Sequence, residues 1–543
     1  MSSLIREPTE PQKEIIDYPG NLVVMAKPGS GKTYTISEKI KSILKDSSAY
    51  QGVIAISFTN KASTELKQRA LSYGIDSKCS FFGTMSLFYL VEIIYPFGSH
   101  VFGKPAKELK VCGKEDTSEE VQRFRQTKTL KEELALSGED IEDLAMLYIQ
   151  GNILLETIDI LAVCIYDNSI ACRRYIKSRY THVIIDEFQD CGLNQYELFM
   201  RLVQSGIIGI AVGDKDQSIY GFSGKSSDYL MRLVSDPAFR PFNLDKNFRC
   251  HKSISDYSLR LLNPAYQIDS MPEKRVFKRC SKGGESAITE YIERVIPIIA
   301  KKYNILKNSD FAILVPSNPN GDLISSLLNI KHKYFKKTDL DDDSSLWATT
   351  FKILLHYIQN PNANIFEFCE NYLDPNDKSS GFSRLYRLTK DVFANKPKLS
   401  TSELTDSFIK IAEIIYPKAY NNTAINNLNE VLKDNDSMDS FAPASDEEVQ
   451  IMTLHKSKGL EFKAVFHLGL YKYNLPRQGK NGNGDWGYND YEQDLNLHYV
   501  GITRAEEVCI LLNSTLRHNK DGDQKAGIDS EFLTLNDLKQ YQG

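Results

Sequence analysis

Two stretches of the chain read as alternating strand and helix. In the first, NLVVMA (21–26), GVIAISFT (52–59), HVIIDE (182–187) and GIIGIAVGD (206–214) are apolar runs of strand length. Each leads into a polar or glycine-containing turn, and three lead on into a helix-like pattern. After the first turn, Ile36, Ile40, Ile43 and Leu44 recur at the spacing of one helix face. Near-continuous apolar strands alternating with helices predict a parallel sheet buried on both sides. A second region repeats the theme with FAILVPS (311–317), VQIMTLH (449–455), AVFHLGL (464–470) and VCILLNS (508–514).

Each region is interrupted by a polar, helix-patterned segment. The expected fold class is therefore α/β, with two parallel-sheet cores, each carrying an inserted, mostly helical subdomain. The expected boundaries are 1–86 and 176–245 for the first core, with 87–175 as its insertion. The second core takes 246–325 and 441–543, with 326–440 as its insertion. KDNDSMDSFAPASDEE (433–448) reads as a solvated acidic linker, and RQGKNGNGDWG (477–487) as an exposed loop.

Composition narrows the picture without changing it. A length of 543 residues suits three or four domains, and 41% hydrophobic with 25% charged residues excludes a largely disordered chain. No run of 18 uninterrupted apolar residues occurs, so no membrane span is expected. MSSLIREPTEPQKE has no apolar core of signal-peptide length, which points to the cytoplasm. Nine scattered cysteines without a CxxC pair predict free thiols and no zinc or iron–sulfur site. A net charge of −5 argues against a basic coat, yet leaves room for a basic groove.

The strongest chemical signal is MAKPGSGKT (25–33), between a strand and an amphipathic helix. Gly29 and Gly31 allow backbone N–H groups to turn around phosphate oxygens, and the helix N-terminus adds partial positive charge. Lys32 is placed to reach the β and γ phosphates, and Thr33 to hold Mg²⁺. VIIDEFQD (183–190) supplies the carboxylates: Asp186 for Mg²⁺ and Glu187 to orient and deprotonate an attacking water. Taken alone, the second motif reads equally as an acidic loop after a core strand; the pairing with the first favours catalysis.

Together with the later motifs, these segments resemble the UvrD/Rep family of superfamily 1 helicases, in that family's motif order from Gln12 to Arg504. The resemblance implies two RecA-like motor cores. It makes Ala26 a normal first P-loop position and places Ala26, Lys27, Pro28, Gly29, Ser30, Gly31, Lys32, Thr33 and Tyr34 around ATP. PTEPQKEII (8–16) resembles the adenine-reading segment, with Gln12 facing the base. SFTNKASTEL (57–66) and FFGTMSLF (81–88) resemble DNA-gripping elements, implying contacts from Thr59, Asn60, Lys61, Gly83 and Thr84. GDKDQSIYGFSG (213–224) implies that Gln217 senses the γ phosphate while Tyr220 and Phe222 stack on bases. LDKNFRC (244–250) implies Arg249 at the γ phosphate. IMTLHKSKGLEF (451–462) implies Thr453, His455 and Lys456 near DNA and Glu461 near the ribose. YVGITRA (499–505) implies Arg504 as an arginine finger.

Physics agrees with the assignment: a motor holds ATP between two domains, and arginines delivered across the cleft couple closure to catalysis. The implied activity is 3′-to-5′ translocation or unwinding on single-stranded and tailed duplex DNA, with ATP and Mg²⁺. Two departures stand out. Ser223 follows Phe222 where the family has arginine, which implies weaker coupling of hydrolysis to stepping, or replacement by a cation such as Lys225. The chain is also short for the family, resembling compact members that partner ATP-sensing nucleases in Gabija-type anti-phage systems. A DNA-end-sensing ATPase that activates a nuclease partner is therefore the alternative reading.

Overall fold

The computed structural model describes residues 7–58, 60–112, 138–219, 221, 225–268, 273–343, 345–360, 363–370, 372–373, 381–396, 399–417, 419–480, 486–519 and 522–543. Two six-stranded, all-parallel sheets organise them. The first is built from β1 (Leu22–Ala26), β2 (Gly52–Ile56), β3 (Phe81–Gly83), β4 (Tyr180–Asp186), β5 (Ile208–Gly213) and β6 (Arg240–Leu244), in the order β3–β2–β4–β5–β1–β6. The second contains β7 (Val276–Ser281), β8 (Phe311–Val315), β9 (His332–Tyr334), β10 (Val449–Thr453), β11 (Phe462–Leu468) and β12 (Ala505–Ser514), in the order β9–β10–β8–β11–β12–β7.

The central strands are the apolar runs, and burial on both faces explains their composition: every residue of β2 and of β8 is buried. Helices α1 (Glu10–Asp17) and α2 (Lys32–Asp46) cover the first sheet. Ile36, Ile40 and Leu44 of α2 pack in one cluster with Val24, Ile210 and Ile15. Parallel register brings the strand ends together, with Met25 opposite Gly213 and Val212 opposite Asp186. That puts the P-loop and the acidic tip of β4 on one rim of the sheet, where ligands of open α/β sheets bind.

Among the described residues the insertions are mostly helical, though their edges differ from the sequence expectation. Position 175 falls inside the helix Ile170–Arg179, and 326 falls inside the helix Asn318–Leu327. The short strand β9 pairs with β10, so the second insertion starts after Tyr334. One run, Met85–Phe102, is long and apolar enough by length and composition to cross a membrane. Its Phe88, Leu90, Ile93 and Ile94 are buried in a core shared with the helices that follow.

Candidate functional site

The P-loop lies between β1 and α2. Gly29 and Gly31 both adopt left-handed backbone conformations, φ 71° and 81°, which glycine alone adopts without steric cost. Space enforces the first glycine as well: a Cβ on Gly29 would stand 2.6 Å from Arg249 Cβ and from Asn247 Oδ1. The Phe248 amide donates to the Gly29 carbonyl at 2.8 Å, tying the loop to the segment that enters the second core. Gln12 is buried; its Nε2 donates to the Ser30 carbonyl at 3.2 Å and its Oε1 accepts from the Thr9 amide. The Ser30 hydroxyl is buried with no hydrogen-bond partner among the described residues, an unspent polar group in the loop.

Lys32, on the first turn of α2, reaches across the rim to β4. Its Nζ lies 3.1 Å from Asp186 Oδ1 and also pairs with Glu187 Oε1. Glu187 itself stands at φ 58°, a strained conformation for a residue with a side chain, costing about 1–2 kcal/mol. Burial alone would raise its carboxyl, but Lys32 and Lys458 override that and hold it at about 2. Burial, followed in weight by the opposing Asp186 and Glu187 charges, acts on Lys32, and the carboxylates win, raising it. Asp186, more enclosed, is raised by burial despite Lys32. Lys32 and Lys458 thus favour the ionised form of Glu187. Thr33 and Asp186 offer hydroxyl and carboxylate oxygens, the donor types Mg²⁺ takes.

The second core closes the site. Arg504, at the end of the helix Tyr491–Thr503, is almost wholly buried. Its Nη1 donates to the Leu460 carbonyl at 3.1 Å, and its Nη2 reaches Gln217 Oε1 at 3.4 Å. Burial and then the Arg249 charge bring its guanidinium down to about 10, still charged at neutral pH. Arg249 pairs with Glu461. The structure therefore brings together Lys32, Asp186 and Glu187, joins Gln217 to Arg504, and joins Arg249 to Glu461.

Other sequence candidates stand differently. The side chain of Lys27 leaves the loop for Asp216 Oδ2 at 2.5 Å and Asp214 Oδ1 at 3.6 Å. Lys456 turns to the Lys336 carbonyl at 3.0 Å and Asp341 Oδ2 at 3.3 Å, at the root of the second insertion. Gly83 ends β3, and Thr84 caps the next helix by accepting from the Leu87 amide. Thr453 ends β10, and its Oγ1 accepts from the Lys456 amide. His455 is held neutral at about 4 by burial and by the charges of Arg477, Lys337 and Lys458. Asn60 and Lys61 open the helix Asn60–Ala70. Thr59, Tyr220, Phe222 and Ser223 lie outside the described residues. Lys225 stands within electrostatic reach of Asp159 and Cys191, beside the first insertion.

Sequence reasoning missed four residues that the geometry uses. Gln189 Nε2 donates to Glu187 Oε2 at 2.5 Å while its Oε1 accepts from the Asp214 amide at 3.1 Å, so it braces the ionised carboxylate. Lys458 Nζ crosses from the second core to Asp190 Oδ2 at 2.5 Å and to the Gln217 carbonyl at 2.8 Å. Asp214 Oδ2 accepts from Gln217 Nε2 at 3.0 Å. Gln189 and Asp190 stand in the acidic motif itself, and Asp214 and Lys458 within the segments 213–224 and 451–462; no segment by itself shows which partner each one meets.

Comparison with known proteins gives a consistent result. Residues 8–111 and 103–238 match the UvrD/REP helicase N-terminal domain, and 370–514 match the UvrD-like helicase C-terminal domain. The chain is 26% identical over 518 residues to the Gabija protein GajB of Bacillus cereus (strain VD045), covering 94% of this chain and 96% of that protein. It is 23% identical over 616 residues to the ATP-dependent DNA helicase Rep of Buchnera aphidicola subsp. Acyrthosiphon pisum (strain APS), covering 90% and 92%. It is likewise 23% identical to the ATP-dependent DNA helicase PcrA of Staphylococcus epidermidis, covering 98% and 87%.

Proposed function

The chain belongs to the UvrD/REP helicase family and is an ATP-dependent DNA helicase, and from that premise we propose that it steps 3′ to 5′ along single-stranded DNA and opens tailed duplexes. Thr33 and Asp186 would hold Mg²⁺, which would supply charge neutralisation on the nucleotide phosphates. Lys32 binds the same phosphates, and its withdrawal from Glu187 frees that carboxylate to take the proton of an attacking water. Gln217, Arg249 and Arg504 face the γ phosphoryl group, the last two arriving with the second core. Gln12 lies beside the loop, on the Ser30 carbonyl, where an adenine base would enter. Gly83, Thr84, Thr453, His455 and Lys456 line the strand ends that serve DNA.

The observation that carries this reading is the 3.4 Å approach of Arg504 to Gln217, which joins the two cores on the P-loop rim. The test is ATPase activity of the purified chain with and without single-stranded DNA, then strand separation on 3′-tailed and 5′-tailed duplexes, with Lys32→Ala as control. Stimulated hydrolysis and opening of the 3′-tailed duplex alone are expected. Opening from the 5′ tail sinks the polarity, and absence of hydrolysis sinks the motor.

Similarity to the Gabija protein GajB over nearly the full length of both chains favours a second reading. In it the chain senses DNA ends and hydrolyses ATP chiefly to activate a nuclease partner in anti-phage defence. DNA-stimulated hydrolysis without strand separation is its signature.

A further inference from the structure

The P-loop lysine that does not face the phosphate site has a different occupation. Lys27 follows β1, and its ammonium lies beside two carboxylates of the turn after the neighbouring β5, Asp216 at 2.5 Å and Asp214 at 3.6 Å. Lys215 serves Asp216 from the solvent side at 2.6 Å. Asp214, with 1% of its side chain exposed, has only Lys27 as a cationic partner among the described residues. Its other oxygen accepts from Gln217 Nε2 at 3.0 Å, and the Gln217 Oε1 then faces Arg504.

An amide has a donor end and an acceptor end, and the neighbour decides which points where. A carboxylate only accepts, so an ionised Asp214 takes the Gln217 NH₂ and leaves the carbonyl for the guanidinium. A protonated Asp214 donates to the carbonyl instead, turning the NH₂ toward Arg504, where two donors meet. Without Lys27, Asp216 keeps Lys215, whereas Asp214, buried beside that second charge, is left with no cation among the described residues to hold it ionised.

We propose that Lys27 is a positioning residue for ATP hydrolysis: it keeps Asp214 a carboxylate, and through it orients Gln217 to receive Arg504 across the cleft. The side-chain relay runs Lys27, Asp214, Gln217, Arg504, so the loop that binds phosphate also sets the contact between the cores. Gln189 joins the relay to Glu187 through the Asp214 amide. This rests on the ATPase reading above and adds to it a residue that touches neither phosphate nor water.

The test is steady-state ATPase at saturating oligo(dT), with nucleotide affinity measured separately with a fluorescent ATP analogue. Lys27→Met is expected to lower kcat about tenfold while the affinity for the analogue stays within about threefold. Lys27→Arg recovers at least half of the lost rate. In a Gln217→Ala background, Lys27→Met changes kcat by less than about twofold, because the relay is already cut. Lys27→Gln is the second variant should the methionine form not fold, with the same expectations. A rate within about twofold of wild type overturns the proposal. So does an equal loss in both backgrounds, or a loss of nucleotide affinity that accounts for the whole effect. A wild-type chain without ATPase activity removes this and the parent reading together, whereas an active wild type with an indifferent Lys27→Met removes this alone.

Discussion

Replacing Lys458 with methionine tests whether the cores are held together by a charge pair whose strength depends on pH. One ammonium from the second core serves the Asp190 carboxylate and the Gln217 carbonyl of the first. The Asp190 side chain is wholly buried, and burial, opposed by Lys458, raises its carboxyl to about 6. That value bounds the damage. With its partner gone, the carboxyl takes a proton, so the electrostatic loss cannot exceed the cost of protonating it in place. At about 1.4 kcal/mol per pH unit, the bound is about 2.7 kcal/mol near pH 8 and under about 0.5 kcal/mol near pH 6. Loss of the bond to the Gln217 carbonyl adds about 1–1.5 kcal/mol at either pH. A carboxyl raised above its unfolded value of 3.8 favours the fold below that value and penalises it as pH climbs through 6. The variant, raised further, is penalised more. Urea unfolding followed by circular dichroism should show a loss of about 4 kcal/mol near pH 8, shrinking to about 1.5–2 kcal/mol near pH 6. Adding Asp190→Asn should restore most of the pH-dependent part. Equal losses at the two pH values, or a larger one near pH 6, refute the reasoning.

Glu187→Gln should lower kcat by about 100-fold or more with nucleotide binding retained, since the amide cannot take a proton from water; a kcat within tenfold of wild type assigns the base elsewhere. Gly501→Ala should lose about 1–3 kcal/mol of stability, because its Cβ would lie 2.7 Å from both His467 and Leu454 inside a filled core; an unchanged melting temperature counts against that packing. His467 and His498 meet at 3.0 Å in the second core, and burial lowers both, His467 to about 4. Their stability contribution is complete above about pH 6.5 and lost as pH falls through 4, about 3 kcal/mol from His467 alone. Non-titrating His467→Gln should flatten that slope, and an unaltered slope shows that other groups drive the acid loss.

Which parts of the fold were legible in sequence follows from where each strand sits. The eight apolar runs are all interior strands of the two sheets. The four strands that escaped, β3, β6, β7 and β9, are the sheet edges. One hydrogen-bonding side of each meets something other than a buried sheet, so RPFNL and VFKRC mix polar with apolar residues and HKY is mostly polar. The P-loop and the acidic strand end were legible because each is a continuous piece of chain. Partnerships formed only by folding were not: Lys458 lies 268 positions from Asp190 and Arg504 287 positions from Gln217. For the same reason Lys456, a DNA candidate by motif, is found tied to Asp341.

The tether between Phe248 and Gly29 has a mechanical meaning. Chain leaving β6 passes directly over the P-loop, with the Lys27 amide on the Leu244 carbonyl at 3.0 Å and the Phe248 amide on Gly29 at 2.8 Å, before it enters the second core. The fulcrum of the two cores and the nucleotide pocket are thus one place. A lever driven at its fulcrum trades force for travel, so a small adjustment of the loop around a phosphate would be enlarged at the second core's far strand ends.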